Sequence, residues 1–537
     1  MNKTFVPGKD APLEDTISKI NLLLKQQDFE IEEVSWLNPL PNVWSVIICD
    51  KKQPYLFSNG KGTSENAALA SALGEFVERL TTGFFFSEYY LGDKEVYQPD
   101  EKFFPLESKK FLSEKLWKFY DPDEELKPEN LIDINCGDPA RGIRCLPFKS
   151  LKTDNTIYFP VNILDNLYLS NGMAAGNSKS EAQSQALSEI IERYIKFKII
   201  SEGISLPDIP EKVLSKYSKV ISARKKLKES GYEILIKDAS LNGKFPVINI
   251  TLLDSKNGTC LAAFGAHPQF EIAVERTLTE LFQGRSLDRL GEFQPPSFDL
   301  GAVADYLNLE EHFIDSGGII LWKFFNENSD YDFRSWNFEG TTKNEVEYLE
   351  NIINKLGFDV YRADYDCGGM YVCRFVVPGM SEIYPVDDLL WNNKNEGIVF
   401  RDDILGLKKS NVTQRSNLLR KIENANLNNN QLVSEFIGMF PDGKSGSDDL
   451  KIGELKILLA LSIKNPQRAL DYFYEEFSSE QFAEKKKLKY NCLKTMLEMN
   501  LMPEYNPSDY KNNLLKLYGT YNFEFCEKAI EGHYCPV

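Results

Sequence analysis

The stretch SNGMAAGNSKSEAQSQALSEIIER, Ser170 to Arg193, decides how this chain is read. From Ser178 on it is rich in Ala, Glu, Gln and Ser, a composition that predicts a helix over 178–197. Asn177, Glu181, Gln185, Glu189 and Glu192 recur at steps of four, four, four and three, which puts all five on one helical stripe. Ala182, Ala186, Leu187, Ile190 and Ile191 supply the apolar side that a docked helix needs. Arg193 extends the polar edge. At ~1.5 Å per residue the stripe runs about 20 Å, enough to span a nucleotide. A solvated helix face would show the same spacing. However, Glu189 and Glu192 are like charges one turn apart, which weakens a helix by roughly 0.2–0.5 kcal/mol unless a cation lies between them.

The pattern also occurs twice. Ser58-Asn59-Gly60-Lys61-Gly62-Thr63-Ser64 leads into ENAALASALGEFVER, which predicts a helix over 64–80 with Ser64 as its N-cap. Ser71, Glu75, Glu78 and Arg79 repeat the steps of Gln185, Glu189, Glu192 and Arg193. Each copy begins Ser-Asn-Gly, crosses a small-residue loop that is two residues longer in the second copy, and enters an Ala-rich helix ending Glu-x-x-Glu-Arg. A duplicated polar helix implies two half-sites facing one another across a pseudo-dyad. Four carboxylates would then converge, a donor set for hard cations such as Mg2+ and their phosphates.

These two helices resemble the nucleotide-binding motifs of the YcaO family, ATP-dependent enzymes that activate peptide-backbone amides. That family's third motif, Arg-x-x-x-Glu, is matched by Arg276 and Glu280 in a helix expected over 270–285. The opening FVPGKDAPLEDTI matches too, with Lys9 and Thr16 where the family borders its nucleotide. The likeness runs to about residue 385 and is strongest to the stand-alone bacterial members. It implies an α+β fold: a pseudo-symmetric, duplicated sheet-and-helix core over 1–385. It also implies ATP and Mg2+ as cofactors. Glu75, Glu78, Glu189 and Glu192 are the expected metal ligands, in some subset. Lys9, Arg193 and Arg276 would balance phosphate charge, and Ser71, Asn177, Glu181 and Gln185 would hydrogen-bond ribose, base or phosphate. Thr16 and Glu280 complete the cofactor-binding set. No catalytic residue is assigned. Lys61, in a Gly-rich segment before a helix, is a weaker candidate for phosphate.

The remaining segments are read from their own patterns. VWSVIIC (43–49), IYFPVNIL (157–164), FPVINITLL (245–253), TCLAAFGAH (259–267), GIILWKFF (318–325) and YVCRFVVPG (371–379) are expected strands, the later ones completing mixed sheets. Asn257-Gly258 marks a hairpin turn. Residues 205–240 predict two helices with a solvated basic run at Arg224, Lys225, Lys226 and Lys228, and residues 81–150 are assigned packing and loops. Over 386–537 strand-like runs vanish and short helical segments alternate with Asn, Pro, Gly and Asp breaks, a C-terminal all-helical, tetratricopeptide-like domain of the kind that binds partners or dimerises. Gly438 to Ser445 satisfies the P-loop pattern GxxxxGK[ST], but a helix-like segment precedes it and Lys444 is set aside as a phosphate ligand.

Length and composition bound the function. A chain of 537 residues exceeds one core. A net charge of −18 argues against direct nucleic-acid or anionic-membrane binding, though not against a basic protein partner. No apolar run reaches the ~18 residues of a membrane span, and the N-terminal residues carry no apolar signal core, so a cytoplasmic location is expected. Nine cysteines without a CxxC pair fit reduced thiols, and three histidines leave a His-based zinc site or a Ser-His-Asp triad short of parts. The ending EGHYCPV lacks the Pro-x-Pro-x-Pro tail of azoline-forming family members, and Gln185 stands where the family more often has Ser. The stand-alone members are accessory factors to a radical methylthiotransferase in β-methylthiolation of a small-subunit ribosomal protein. Such a role implies a protein substrate, that enzyme as partner, and ATP turnover. The alternatives are a nucleotide-sensing partner-binding scaffold without amide chemistry, and a thioamide- or azoline-forming cyclodehydratase. Apolar helices in the tail make a homodimer the expected assembly.

Overall fold

The computed structural model describes residues 3–90, 92, 98–136, 138–287, 290, 293–440, 449–475, 482 and 484–532. The chain forms two compact units. One comprises Met1–Phe85, Val96–Leu131 and Ile143–Asn392; the other comprises Phe86–Glu95, Ile132–Gly142 and Asn393–Val537. The helical unit thus draws two short pieces from the 81–150 segment assigned to packing and loops.

In the first unit, α1 (Leu13–Gln26) precedes the antiparallel strands β1 (Ile31–Leu40), β2 (Val43–Asp50) and β3 (Phe57–Gly62). Helix α2 (Glu65–Thr81) follows directly, and the Ser64 hydroxyl accepts from the Ala67 N–H at 3.2 Å, as the cap predicts. Strands β4 (Lys102–Phe104), β5 (Ile143–Ser150), β6 (Thr156–Pro160) and β7 (Met173–Gly176) lead to α3 (Lys179–Glu202), capped by Ser178. Then come β8 (Tyr232–Asp238), β9 (Val247–Asp254), β10 (Thr259–Ala266) and α4 (Phe270–Leu281), followed by β11 (Tyr361–Cys367) and β12 (Met370–Val376). Three sheets result: β1-β2-β3, β10-β9-β8, and β4-β5-β11-β12-β7 with β6 on β5. Among the described residues every ladder between these strands is antiparallel, and the one parallel pairing is the isolated bridge Ser297–Leu321, so the mixed sheets expected from sequence are not found there.

Several expectations fail for local reasons. The Ser-Asn-Gly segment of the first copy is strand β3, not a loop. IYFPVNIL stops as strand at Pro160 and turns through a helical step and a π-helix, Leu164–Tyr168, fully buried. GIILWKFF gives only a bridge at Leu321 and a 3-10 turn, Trp322–Phe325, because no neighbouring strand extends along it. Strands β1, β4, β5, β7, β8 and β11 escaped the sequence reading, β4 and β5 lying in the stretch assigned to packing and loops.

Helix α3 is the core's axis. Ala182, Ala186, Leu187, Ile190, Ile191, Ile195 and Ile199 are fully buried, and Ala182 lets β7 approach closely at Gly176. In the second unit, helices at Ile452–Ser462, Pro466–Glu475, Glu484–Leu501, Pro507–Tyr518 and Thr520–Ile530 pack on one apolar cluster. Their unequal lengths (11, 10, 18, 12 and 11 residues) do not establish a tetratricopeptide register. Val433–Phe436 before Gly438 is helical, not the strand a P-loop requires; the rest of that match and the tail from His533 lie outside the described residues. Among the described residues no helix is long and apolar enough to cross a membrane, and the eight described cysteines are free.

Candidate functional site

The duplication is built on two glycines, not on the repeated Ser-Asn-Gly. A Cβ on Gly62 would stand 2.7 Å from the Ala68 nitrogen, and one on Gly176 would stand 2.7 Å from the Ala182 nitrogen. Both strands therefore press on the first turn of the following helix. Gly62 with Gly176 and Ser64 with Ser178 keep one constant spacing, so the two copies align without a gap. The triplets are not equivalent: Gly172 turns with φ +78, whereas Gly60 lies in β3 against the Ala68 carbonyl. The two-residue insertion inferred from sequence is thus absent.

This close packing turns one face of α2 and one face of α3 into a single cleft of about 1070 Å3, with α4 and the N-terminal segment completing its walls. Every candidate site residue named from sequence lines it. At one end the Lys9 ammonium lies 3.2 Å from Glu181 Oε1, and the Asp10 N–H donates to Glu181 Oε2 at 3.0 Å. Asn177 Nδ2 donates to the same carboxylate at 3.2 Å, and Thr16 Oγ1 donates to Asn177 Oδ1 at 3.1 Å. Glu181 is buried and fixes this end.

Farther along, the Arg276 guanidinium donates to Gln185 Oε1 at 2.7 Å, which explains how Gln is accommodated where Ser is usual. Arg193 pairs with Glu189 at 2.8 Å, donates to Asn171 Oδ1 at 3.1 Å, and lies 4.7 Å from the Phe313 ring centroid. Arg79 repeats this arrangement in the other half. It pairs with Glu75, donates to the Phe57 carbonyl at 3.4 Å, and lies over the Phe84 ring. Glu192 accepts from the Ala266 N–H at 3.0 Å.

The four glutamates line one cleft, but among the described residues no three His, Cys, Asp or Glu side chains form a ready-made metal cluster. Glu75 and Glu189 are held by arginines one turn away, and Glu192 is held by β10. The donor set nonetheless suits a hard divalent cation. The Glu78 carboxylate has no hydrogen-bond or ion-pair partner among the described residues. Burial, then the charges of Glu189 and Glu75, push its carboxyl well above the usual value. Burial likewise raises Glu189. An all-carboxylate set of hard oxygen donors fits Mg2+ better than a thiolate- or imidazole-seeking ion.

Three further residues line the cleft and are engaged in it. Lys61 reaches from β3 across the cleft to pair with Glu280 on α4, and burial pulls its ammonium down to about 8. Lys196 continues the α3 stripe four residues after Glu192, a spacing that could have flagged it. It donates to the His312 carbonyl and, at 3.0 Å, to Ser316 Oγ, and burial lowers it too to about 8. His267 accepts the Gln269 N–H on Nδ1 at 3.0 Å, which leaves Nε2 protonated, 3.7 Å from Glu345. Burial, then Arg276 and Lys9, keep it neutral with a pKa of about 3.

Residues 59–381 match the family model described as YcaO cyclodehydratase, ATP- and Mg2+-binding, and residues 397–535 match the YcaO cyclodehydratase C-terminal domain. The ribosomal protein S12 methylthiotransferase accessory factor YcaO of Escherichia coli is 45% identical over 546 residues, covering 99% of this chain and 93% of that protein. An uncharacterized protein of Haemophilus influenzae is 45% identical over 531 residues, covering 96% and 90%. Among solved structures, YcaO from Methanopyrus kandleri bound with AMPPCP and Mg2+ aligns at 17% identity with a TM-score of 0.47, covering 73% of this chain and 97% of that one.

Proposed function

The chain belongs to the YcaO family, whose model is ATP- and Mg2+-binding, and from that premise we propose that it uses ATP to assist modification of a protein substrate. Its E. coli relative is named as an accessory factor of ribosomal protein S12 methylthiotransferase, and 45% identity over nearly the whole chain supports the same role here, with S12 as substrate and that enzyme as partner. The observation that carries the reading is the gathering of both duplicated helices and Arg276 around one cleft.

When bound, ATP with Mg2+ supplies an electrophilic phosphorus that makes an amide oxygen a leaving group. The chain's own residues divide the remaining work. Asn177, Glu181, Gln185, Thr16 and Lys9 receive the nucleoside end through hydrogen bonds already oriented by one another. Glu75, Glu78, Glu189 and Glu192 hold the cation. Arg193 and Arg276 stabilise negative charge where it accumulates, in a cleft whose walls restrict water.

Calorimetric titration of ATP with Mg2+ tests the binding, on the wild type and on Glu75→Gln and Glu192→Gln. Micromolar binding lost in both variants supports the assignment; binding that survives both removes it. Faster ATP turnover on adding S12 or the methylthiotransferase separates an ATP-using factor from a nucleotide-sensing scaffold. Turnover indifferent to both proteins favours the scaffold.

A further inference from the structure

One helix beside the cleft presents its faces the wrong way round. Helix α5 (Tyr306–Ile314) reaches the cleft wall with its C-terminal end: Phe313 and Ile314 line the cleft, as do Asp315 and Ser316 just beyond. The inward side of α5 is polar. Asn308 is buried there; its Nδ2 donates to the Val303 and Ile319 carbonyls at 2.8 and 2.9 Å, and its Oδ1 accepts from the Ile319 N–H at 2.6 Å. Buried His312 bonds the Ile319 carbonyl through Nε2 at 3.1 Å, and the Lys196 ammonium donates to the His312 carbonyl. These bonds fix how α5 is rolled. Its outward side carries Leu307, Glu311 and Ile314, spaced by four and three on one stripe. All three are exposed, Leu307 at 68% and Ile314 at 64%, the reverse of a helix docked by its apolar face. The Glu311 carboxylate has no hydrogen-bond or ion-pair partner among the described residues. From Phe293 to Trp322 the sequence holds Asp299, Asp305, Glu310, Glu311 and Asp315 but no Lys or Arg. The neighbouring Arg285 is taken by Asp315 at 3.4 Å. The stripe is therefore apolar and negative, and it ends at the cleft's rim, where Ile314 is both exposed and cleft-lining.

We propose that the outward stripe of α5 is a docking face for a basic segment of the protein substrate, which it leads to the rim of the cleft. The inference rests on the protein-substrate reading above and adds to it a surface outside the duplicated helices. Leu307 and Ile314 stand about 10 Å apart along the helix, at ~1.5 Å per residue, a span that roughly three extended residues cover. A Lys or Arg flanked by apolar side chains meets Glu311 while its neighbours rest on Leu307 and Ile314. Proteins that bind a polyanion such as ribosomal RNA carry basic segments of this kind. A chain with a net charge of −18 attracts them before contact, and the same field repels a nucleic acid or an acidic protein.

Ribosomal protein S12 is the probe, titrated by calorimetry into the full chain as wild type, Leu307→Ser and Glu311→Lys. ATP with Mg2+ is titrated into the same three proteins. Neither substituted residue lines the cleft. Each variant should bind S12 about 10-fold more weakly, and the Glu311→Lys deficit should shrink as salt is raised. ATP affinity should stay within about twofold, which also reports that the variants are folded. Undiminished S12 affinity in both variants overturns the docking face and leaves the substrate reading standing. A matching loss of ATP affinity overturns it too, because the effect then comes from the shape of the cleft wall. Sedimentation tests the other occupant: a wild-type dimer that both variants dissociate, with S12 binding unchanged, gives the face to a second copy of this chain. A wild type that binds ATP but no S12 removes the substrate reading and the inference with it.

Discussion

Gly74 sits in the middle of α2, between Ser71 and the glutamates at 75 and 78, and it lines the cleft. A Cβ built there meets nothing within 4 Å. Gly74→Ala should therefore stabilise the protein by about 0.5–1 kcal/mol, the ordinary gain of Ala over Gly in a helix interior. The same methyl projects into the space where a nucleotide would lie against α2, so ATP affinity should fall by about tenfold or more. Gly60→Ala is the contrasting variant. Its Cβ would stand 2.0 Å from the Ala68 carbonyl oxygen and 2.5 Å from the Ala72 nitrogen, backbone atoms that cannot swing aside. Restoring ordinary contact means moving α2 away from β3 by about 1.4 Å, at roughly 1–3 kcal/mol. That movement would carry Glu75 and Glu78 with it. Urea unfolding and calorimetric ATP titration read both effects. If Gly74→Ala gains stability and binds ATP as well as the wild type does, the nucleotide does not lie on this face of α2. If it loses stability, the space at Gly74 is not open.

Other consequences follow from buried charge. Burial and the neighbouring Glu189 and Glu75 charges raise Glu78, so its ionised form opposes folding above its raised pKa and the burden disappears as pH falls through it. Without Mg2+, Glu78→Gln should be more stable than the wild type at pH 8, with the gap closing on acidification, while Mg2+-dependent ATP binding is lost; equal midpoints at pH 8 would remove the like-charge account. His267 is depressed from 6.5 to about 3, so it favours the folded state above 6.5 and loses that contribution as pH falls from 6.5 toward 3. Between pH 7.5 and 5.5 the wild type should lose about 1.4 kcal/mol more than His267→Gln does; parallel pH profiles in urea unfolding would contradict a neutral buried ring. In the helical unit, buried Arg401 donates to the carbonyls of Ile437 at 2.7 Å, Ile134 at 2.6 Å and Cys136 at 3.1 Å. Arg401→Met should cost roughly 3 kcal/mol or more by stranding these acceptors, and a change under about 1 kcal/mol would show that water replaces the guanidinium.

The sequence by itself determined what is periodic and local. The stripe on α3, its echo on α2, the cap Ser64, the Arg276–Glu280 helix and the hairpin at Gly258 each depend on residues within a turn or two of one another. The shift from strand-bearing to purely helical chain was also legible, because loss of alternation is a local property. Only the tertiary structure decided the rest. Ser-Asn-Gly looked like the start of both copies, but the true register is set by where a strand presses on a helix, a contact made in both copies at Gly62 and Gly176. Spacing put the glutamates on facing stripes, but their partners come from afar: Glu192 accepts from a β10 amide 74 positions away and Glu280 pairs with Lys61. Lys61 itself looked like a turn lysine until β3, α2 and α4 met around it. Helical spacing says which side chains share a face. It does not say which partner from a distant part of the chain will reach that face, because long-range packing chooses that partner.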